Sequence, residues 1–243
     1  MRQPCLGETE TEKRQTEKED IGDMLKAVVF DMDGVILDSE RLSHEAWREL
    51  AKQRNLPDME GLYCAAMGKS VDEISVLFEE ALGFNGYPEF REQVLAWNKA
   101  HSPGGIVPLR KGAGELLRFL KENGVLIGLA SATEYDILAR ELSDTGVLHL
   151  FDTVMAGDMV AHCKPDPELF LRACEGLGVD PAEAYGVEDG YGGIQAIHAA
   201  GMRAILAEDQ YHPTPEIAAL CEAVLPTMEA VKEYLGRKIQ GEI

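Results

Sequence analysis

The sequence predicts an α/β fold with a three-layer parallel sheet core and an inserted α-helical cap. After residue 112, short apolar runs alternate with segments of helical periodicity, a pattern typical of parallel strands covered by helices on both faces. Between the first apolar run and this alternating region, residues 42–107 show helical periodicity alone, which indicates an inserted helical unit. We therefore expect a Rossmann-like core, residues 24–41 and 108–243, interrupted by a cap at 42–107.

The polar segment at residues 1–23 precedes the first apolar run, and its acidic residues outnumber its basic ones. It lacks the apolar stretch of a secretory signal, and its acidic residues argue against a transit peptide. We expect this segment to be a disordered tail or a loose helix. Met24, directly before the first apolar run, is a candidate alternative start.

The first predicted strand is the apolar run from Ala27 to Phe30. The helix that follows is predicted to have Ser39 as its N-cap, with apolar residues at helical spacing as far as Leu50. The remaining predicted features of the insertion are two helices, near 71–82 and 88–100, and a hinge marked by Gly104, Gly105 and Pro108.

The alternating region supplies the rest of the sheet and its covering helices. Its apolar runs predict strands at 125–130, 152–155, 184–187, 203–206 and 223–225. Its amphipathic segments predict helices at 113–122, 134–142, 166–176, 192–200 and 227–236.

The composition limits the classes of function. The chain has 243 residues, a net charge of −20 and 45% hydrophobic residues, so it can form a packed core but repels nucleic acid and anionic membranes. A site for an anionic substrate must therefore concentrate positive charge locally. The five cysteines are scattered, which favours a reducing cytoplasm over a disulfide framework or a zinc site. No apolar run is long enough to span a bilayer.

Two aspartates follow the first strand directly. Asp31 and Asp33 are two residues apart, so their side chains would point the same way on an extended chain. Two such carboxylates repel one another unless a cation lies between them, and carboxylate oxygens are ligands that Mg²⁺ prefers. Gly34 then allows a sharp turn. The alternative interpretation is an aspartate-rich turn without a bound ion.

Later strands also end in polar residues. Ser131 follows one predicted strand, Glu188 and Asp189 follow another, and Lys164 lies on a connection between them. Considered one at a time, these residues could be a helix N-cap, the start of a turn and a solvated lysine. Because the carboxyl ends of parallel strands lie at one edge of a sheet, we expect them to form one site with the two aspartates.

These motifs resemble those of the haloacid dehalogenase superfamily of phosphatases and phosphomutases, in the branch with a helical cap after the first motif. Their order and spacing match that family across nearly the whole chain after residue 24. The matching segments are Phe30 to Ser39, Leu129 to Ser131, Lys164 to Pro167, and Val187 to Asp189, the last followed at a distance by Ala199 to Met202.

The resemblance implies a catalytic role for each residue. Asp31 would attack phosphorus to form an aspartyl-phosphate, and Asp33 would protonate the leaving oxygen and later deprotonate water. Ser131 and the backbone N–H of Ala132 would bind the phosphoryl oxygens. Lys164 would neutralise charge and orient the nucleophile.

The resemblance also implies a bound Mg²⁺. Its ligands would be Asp31, the backbone carbonyl of Asp33, Asp189, and Glu188 directly or through water. Where the family usually has a serine after the Glu-Asp pair, this sequence has Gly190. We expect this loss of a hydroxyl to weaken the support of the metal site without abolishing activity.

The cap determines the substrate and gives weaker signals. Lys69 and Lys99 are candidate substrate contacts, although both could equally be solvated lysines. Related mutases carry an arginine where Val71 falls, and a histidine one position away from His44. These departures favour hydrolysis over phosphoryl transfer back to a sugar.

The predicted function is that of a Mg²⁺-dependent phosphatase of small phosphorylated metabolites, sugar phosphates foremost. The alternative is a phosphosugar mutase resembling β-phosphoglucomutase, and a third hypothesis is a relative that binds phosphate ligands without turnover. We expect a cytoplasmic monomer with no nucleic-acid or membrane partner.

Overall fold

The computed structural model describes residues 25–57, 59–66, 69, 71–209 and 212–243. The predictions for residues 1–23 and Met24 lie outside this part of the chain. The strands are β1 Ala27–Phe30, β2 Leu126–Ala130, β3 Thr153–Met155, β4 Ala184–Glu188, β5 Arg203–Ala207 and β6 Ala223–Leu225. The helices are α1 Ser39–Gln53, α2 Glu60–Ala66, α3 Val71–Leu82, α4 Tyr87–His101, α5 Ala113–Glu122, α6 Tyr135–Asp144, α7 Glu168–Leu177, α8 Tyr191–Ala199, α9 Pro215–Ala218 and α10 Met228–Ile239.

The six strands form one parallel sheet in the order β3-β2-β1-β4-β5-β6, which confirms the predicted fold class. Strand β1 is central, and its last residue, Phe30, is paired with Leu129 of β2 and Val187 of β4. The chain crosses to the other side of β1 between β3 and β4. In sheets of this topology, ligands bind beyond the carboxyl ends of the strands at this reversal.

Helices cover both faces of the sheet and produce the three layers. Alternate residues of β1 point to opposite faces: Val28 and Phe30 join the apolar cluster under α5, α6 and α10. Ala27 and Val29 join the cluster under α7 and α8. All four side chains are fully buried, which explains why β1 has an unbroken apolar sequence instead of the alternating pattern of a half-exposed strand.

Helices α1 to α4 have an apolar cluster of their own. Trp47 of α1 contacts Tyr63 of α2, Phe78 of α3 and Phe90 of α4, with ring centroids 5.0–6.1 Å apart. The division into a core and a cap at residues 42–107 stays a prediction. The end residues Leu42 and Val107 pack with the sheet, whereas the residues from Ala46 to Val94 form this separate cluster. The two chain segments that connect it to the sheet lie side by side, because Leu37 and Leu109 form an antiparallel bridge.

Three local predictions need correction or addition. Asp38 is the N-cap residue of α1, and Ser39 is its first helical residue. The Ser39 hydroxyl donates to Asp33 Oδ1 instead of capping the helix. Helices α2 and α9 were not predicted, since both are too short to show helical periodicity. Strand β2 begins at Leu126, one residue later than predicted.

Two further predictions concern the environment of the protein. No helix in the described part of the chain has the length and apolar character needed to cross a membrane. Among the described cysteines, Cys163, Cys174 and Cys221 are free thiols.

Candidate active site

The predicted site residues converge because three neighbouring strands end at the same edge of the sheet. The backbone N–H of Asp31 donates to the carbonyl of Val187 at 3.0 Å, which extends the pairing of β1 with β4 by one residue. On the other side of β1, the N–H of Ser131 donates to Met155 O at 3.0 Å and fixes the residue after β2. The topology therefore places Asp31 between Ser131 and Glu188.

Lys164 joins the carboxylates of two strands. Its ammonium lies 2.5 Å from Asp31 Oδ1 and 2.7 Å from Glu188 Oε1, and its side chain is 2% exposed. Burial lowers the pKa of Lys164, but the two carboxylates outweigh burial and raise that pKa above its ordinary value. Lys164 is therefore a fixed positive charge beside Asp31, and it cannot be the solvated loop lysine of the alternative interpretation.

Asp31, Glu188 and Asp189 form an acidic cluster suited to a cation. One ligand oxygen from each lies within 4.8 Å of the others. Burial, reinforced by the Glu188 charge, raises the pKa of Asp189 well above its usual value. Burial also raises the pKa of Asp31 to about 8, against the opposing effect of Lys164. The single charge of Lys164 offsets only part of the negative charge of these three carboxylates, so the cluster fits a divalent cation such as Mg²⁺, which prefers oxygen ligands.

Two glycines allow the acidic cluster to pack this closely. Gly34 has φ +72°, and a Cβ atom there would lie 2.0 Å from Asp189 Oδ2. Gly193, in the first turn of α8, would place a Cβ atom 1.8 Å from Glu188 Oε1. Neither position accepts a larger residue without displacing a carboxylate of the cluster.

Asp33 is held by two hydroxyl groups. Ser39 Oγ donates to Asp33 Oδ1 at 2.7 Å, and Thr133 Oγ1 donates to Asp33 Oδ2 at 3.0 Å. Sequence reasoning missed both contacts: Ser39 was assigned to a helix cap, and Thr133 was not singled out. The position of Ser39 at the end of the first motif was the available signal, whereas nothing in the sequence marked Thr133.

The loop after β2 forms the remaining side of the site. Ser131 is 1% exposed, and its Oγ accepts a hydrogen bond from the N–H of Thr133 at 3.1 Å. The backbone N–H of Ala132 has no acceptor among the described residues, so it is available to a ligand. Helix α6 begins four residues after Ser131, and therefore Ser131 is not its N-cap.

A cavity of about 260 Å³ opens above this cluster, near the lower end of the range typical of small-molecule sites. One face of α4 and one face of α6 line it, together with residues of α1 to α3. Both candidate substrate lysines, Lys69 and Lys99, line the same cavity. Their predicted role as substrate contacts stays a prediction, which the cavity supports.

The cavity also contains arginines that sequence reasoning missed. Arg91 of α4 and Arg140 of α6 both line it, and Arg91 lies 3.3 Å from Glu134 Oε2. The signal available in the sequence was that each arginine stands at helical spacing from other residues of its own helix that line the cavity. His44, by contrast, pairs with Glu60 at 2.7 Å and stacks on Tyr63. It is not among the residues that line the cavity.

Gly190 contributes its backbone to the site. Its N–H donates to Glu188 Oε2 at 2.6 Å, so this contact does not need a side chain. A Cβ atom at Gly190 would lie 3.3 Å from the same oxygen, close enough to require only a small shift. The glycine found here and the serine usual in the family are therefore both compatible with this backbone geometry.

The fold and site together define an enzyme of the hydrolase or phosphotransferase class: a parallel sheet presents an aspartate pair, a buried lysine and an acidic cluster to a capped cavity. More particularly, the chain belongs to the haloacid dehalogenase-like hydrolase family, whose model matches residues 25–201.

Individual relatives agree with this assignment. The chain is 32% identical over 212 residues to a phosphorylated carbohydrates phosphatase of Thermotoga maritima, covering 87% of this chain and 97% of the relative. It is 32% identical over 194 residues to β-phosphoglucomutase of Bacillus subtilis, covering 74% and 82% of the two chains. Its fold matches the crystal structure of β-phosphoglucomutase from Clostridium difficile with a TM-score of 0.71 and 26% identity, covering 90% and 98%.

Proposed function

We propose that this protein is a Mg²⁺-dependent phosphatase of small phosphorylated metabolites, sugar phosphates foremost, and that it acts through an aspartyl-phosphate on Asp31. The observation that carries the proposal is the buried contact of Lys164 with both Asp31 and Glu188 beneath the cavity. A structural ion pair would not require an open cavity above it, whereas a nucleophile needs access to substrate.

In the first step, an Asp31 oxygen attacks phosphorus and the bond from phosphorus to the ester oxygen breaks. Asp33 gives its proton to the departing oxygen, so the leaving group departs as a neutral alcohol. Ser39 and Thr133 fix the orientation of the Asp33 carboxyl during this transfer. Lys164 holds Asp31 in place and offsets the negative charge that accumulates around it.

In the second step, water attacks the phosphorus of the aspartyl-phosphate. Asp33, now ionised, takes a proton from that water, and the bond between Asp31 and phosphorus breaks to release inorganic phosphate. The N–H of Ala132 and the Ser131 hydroxyl would bind phosphoryl oxygens throughout. Both aspartates return to their starting state, so the cycle is closed.

Asp31, Glu188 and Asp189, together with the backbone carbonyl of Asp33, would hold the Mg²⁺ ion. When bound, the ion supplies positive charge that screens the anionic nucleophile from the anionic phosphate. The acidic cluster supports this part of the proposal, because its oxygens lie close enough to share one ion.

The relatives and the cavity support the substrate class. The relative from Thermotoga maritima is a phosphatase of phosphorylated carbohydrates, and the cavity has the size of a small metabolite. In a chain of net charge −20, the cations Lys69, Arg91, Lys99 and Arg140 concentrate around one cavity. We further propose that the protein acts as a cytoplasmic monomer.

The test is a phosphate-release assay with p-nitrophenyl phosphate and a panel of sugar phosphates, with Mg²⁺ or with EDTA. We expect Asp31→Asn and EDTA each to abolish turnover. Asp136→Asn, which changes an exposed aspartate in the first turn of α6, is the matched control and keeps wild-type rates. Full activity in EDTA or in Asp31→Asn would refute the proposal, and tight Mg²⁺-dependent ligand binding without turnover would favour the non-catalytic hypothesis.

A mutase is the second candidate, because the cavity holds arginines that the sequence pattern of the cap loop did not predict. Arg91 and Arg140 offer the bidentate groups that a second, non-transferring phosphate requires. Two carboxylates near them, Glu134 and Glu141, oppose such a site and favour hydrolysis.

The deciding experiment follows β-glucose 1-phosphate, Mg²⁺ and a trace of the bisphosphate by ³¹P NMR. Inorganic phosphate as the main product supports the phosphatase. Rapid conversion to glucose 6-phosphate supports the mutase, and Lys99→Ala should then abolish transfer while leaving slow hydrolysis.

A further inference from the structure

One face of α6 is directed at the cavity. Ile137, Glu141 and Asp144 line the cavity at spacings of four and three residues, so they lie on the same side of the helix. Glu141 is half-buried and Asp144 is exposed. A half-buried carboxylate in the middle of an otherwise partly apolar helix face is stabilised by a partner.

The Glu141 carboxylate has no such partner in the part of the chain that the structure describes. Among the described residues it makes no hydrogen bond and no ion pair within 4 Å, although Arg140 and Arg91 are near enough to influence it. Burial raises the pKa of Glu141 to about 7, and the Asp33 carboxylate contributes to that shift. The catalytic mechanism described above does not use Glu141.

The position of Glu141 indicates what it would contact. Asp33 must reach the oxygen of the leaving group, and Glu141 lines the same cavity as Asp33. A leaving group that extends from Asp33 into the cavity would meet the face of α6 that carries Glu141. A carboxyl group there can accept hydrogen bonds from hydroxyls on those carbons, whereas an alkyl chain would leave it desolvated and unpaired.

We propose that Glu141 is a specificity-determining residue, which accepts hydrogen bonds from hydroxyl groups of the alcohol that hydrolysis releases. The substrates selected in this way are phosphate esters of polyhydroxylated alcohols, in preference to alkyl phosphates of the same length. This inference rests on the proposed phosphatase function and identifies the group that recognises the leaving group. The expected discrimination is about tenfold or more, as for other hydrogen bonds to charged acceptors.

The test compares sorbitol 6-phosphate with n-hexyl phosphate, two esters with the same number of carbon atoms. The measured quantity is the ratio of their kcat/KM values. In wild type we expect the ratio to favour sorbitol 6-phosphate. In Glu141→Leu and Glu141→Ala it should fall about tenfold or more. Glu141→Gln should retain part of the preference, because its amide oxygen still accepts hydrogen bonds.

The matched control is Asp136→Asn, which removes one negative charge from the same helix at an exposed position that does not line the cavity. Its ratio should stay close to that of wild type. An equal loss in Asp136→Asn would show a general charge effect and overturn the proposal, as would an unchanged ratio in the Leu and Ala variants. Thermal unfolding of each variant identifies any variant that does not fold. If Glu141→Leu does not fold, the ratio measured for Glu141→Ala tests the proposal.

Failure of the inference is distinguishable from failure of the proposed function. If wild type hydrolyses neither ester nor p-nitrophenyl phosphate, the phosphatase proposal is wrong. Calorimetric binding of the two esters to the Asp31→Asn protein, with and without Glu141→Leu, then decides the inference. The inference is supported if the Asp31→Asn protein binds sorbitol 6-phosphate more tightly than n-hexyl phosphate and the added Glu141→Leu substitution removes this preference. It is refuted if each ester binds with the same affinity with and without Glu141→Leu.

Discussion

Replacement of Lys164 by methionine should destabilise the metal-free protein strongly. The ammonium makes two contacts, 2.5 and 2.7 Å long, each with a gross attraction of about 6 kcal/mol at an effective dielectric constant near 20. Desolvation of all three charges and repulsion between the carboxylates offset most of this attraction. Removing one partner from such a buried group has a net cost of about 3–5 kcal/mol, because the acids remain buried without a counter-charge.

The assay is thermal unfolding followed by circular dichroism, first in EDTA. For a chain of this size, a loss of about 3–5 kcal/mol corresponds to a fall in Tm of about 6–20 °C. Lys111→Met is the matched control. Lys111 pairs with Glu229 at 3.0 Å but is 93% exposed, so the same substitution should cost less than about 1 kcal/mol.

Addition of Mg²⁺ extends the test. Glu188, Asp189 and Asp31 remain in the Lys164→Met protein, so we expect Mg²⁺ to raise its Tm by more than that of wild type. The reasoning would be refuted if Lys164→Met cost no more stability than Lys111→Met. A smaller Mg²⁺ response in Lys164→Met than in wild type would also contradict it.

Three further predictions follow from the site. Gly34→Ala should lower Mg²⁺ affinity, measured by calorimetry, at least tenfold, because its Cβ atom would displace Asp189; unchanged affinity would contradict this. In EDTA, Tm should fall as the pH rises from about 5.5 to about 8.5. Burial raises the pKa of Asp31 to about 8 and that of Glu40 to about 7, above their values in the unfolded chain, so the stability present at low pH is lost as the pH rises through these pKa values. A Tm that rises over this interval would contradict the prediction. Trifluoroberyllate with Mg²⁺ should reduce the radius of gyration in solution scattering, because Gly104–Gly105 has two consecutive positive φ angles where the cap joins the core; an unchanged radius would exclude closure there.

The strand-end residues were predictable because each is marked locally. Asp31 follows an unbroken apolar run, and Glu188 follows another. A parallel sheet then brings the two strand ends to one edge whatever the exact strand order. Lys164 was predicted on its motif, but its burial between two carboxylates was not, since that depends on the path of the connection after β3.

The residues that sequence reasoning missed belong to surfaces that meet only in the folded chain. Thr133 reaches Asp33 across a separation of 100 residues, and nothing near Thr133 in the sequence indicates that contact. Arg91 and Glu141 lie on two different helices whose facing sides are set by the packing of the cap on the core. Ser39 has a local pattern that fits a helix cap equally well, so only the position of Asp33 distinguishes the two roles.

The sequence by itself therefore determined the parallel α/β core, the inserted helices and the phosphoryl-transfer motifs, because hydrophobic periodicity and strand-end chemistry are encoded within a few residues. Only the tertiary structure decided which side chains line the cavity and which charges face the leaving group. Those depend on how helices distant in sequence approach one another, a property that no local pattern specifies. For this reason the chemistry of the site could be predicted from the sequence, whereas Glu141, the candidate determinant of its substrate, could not.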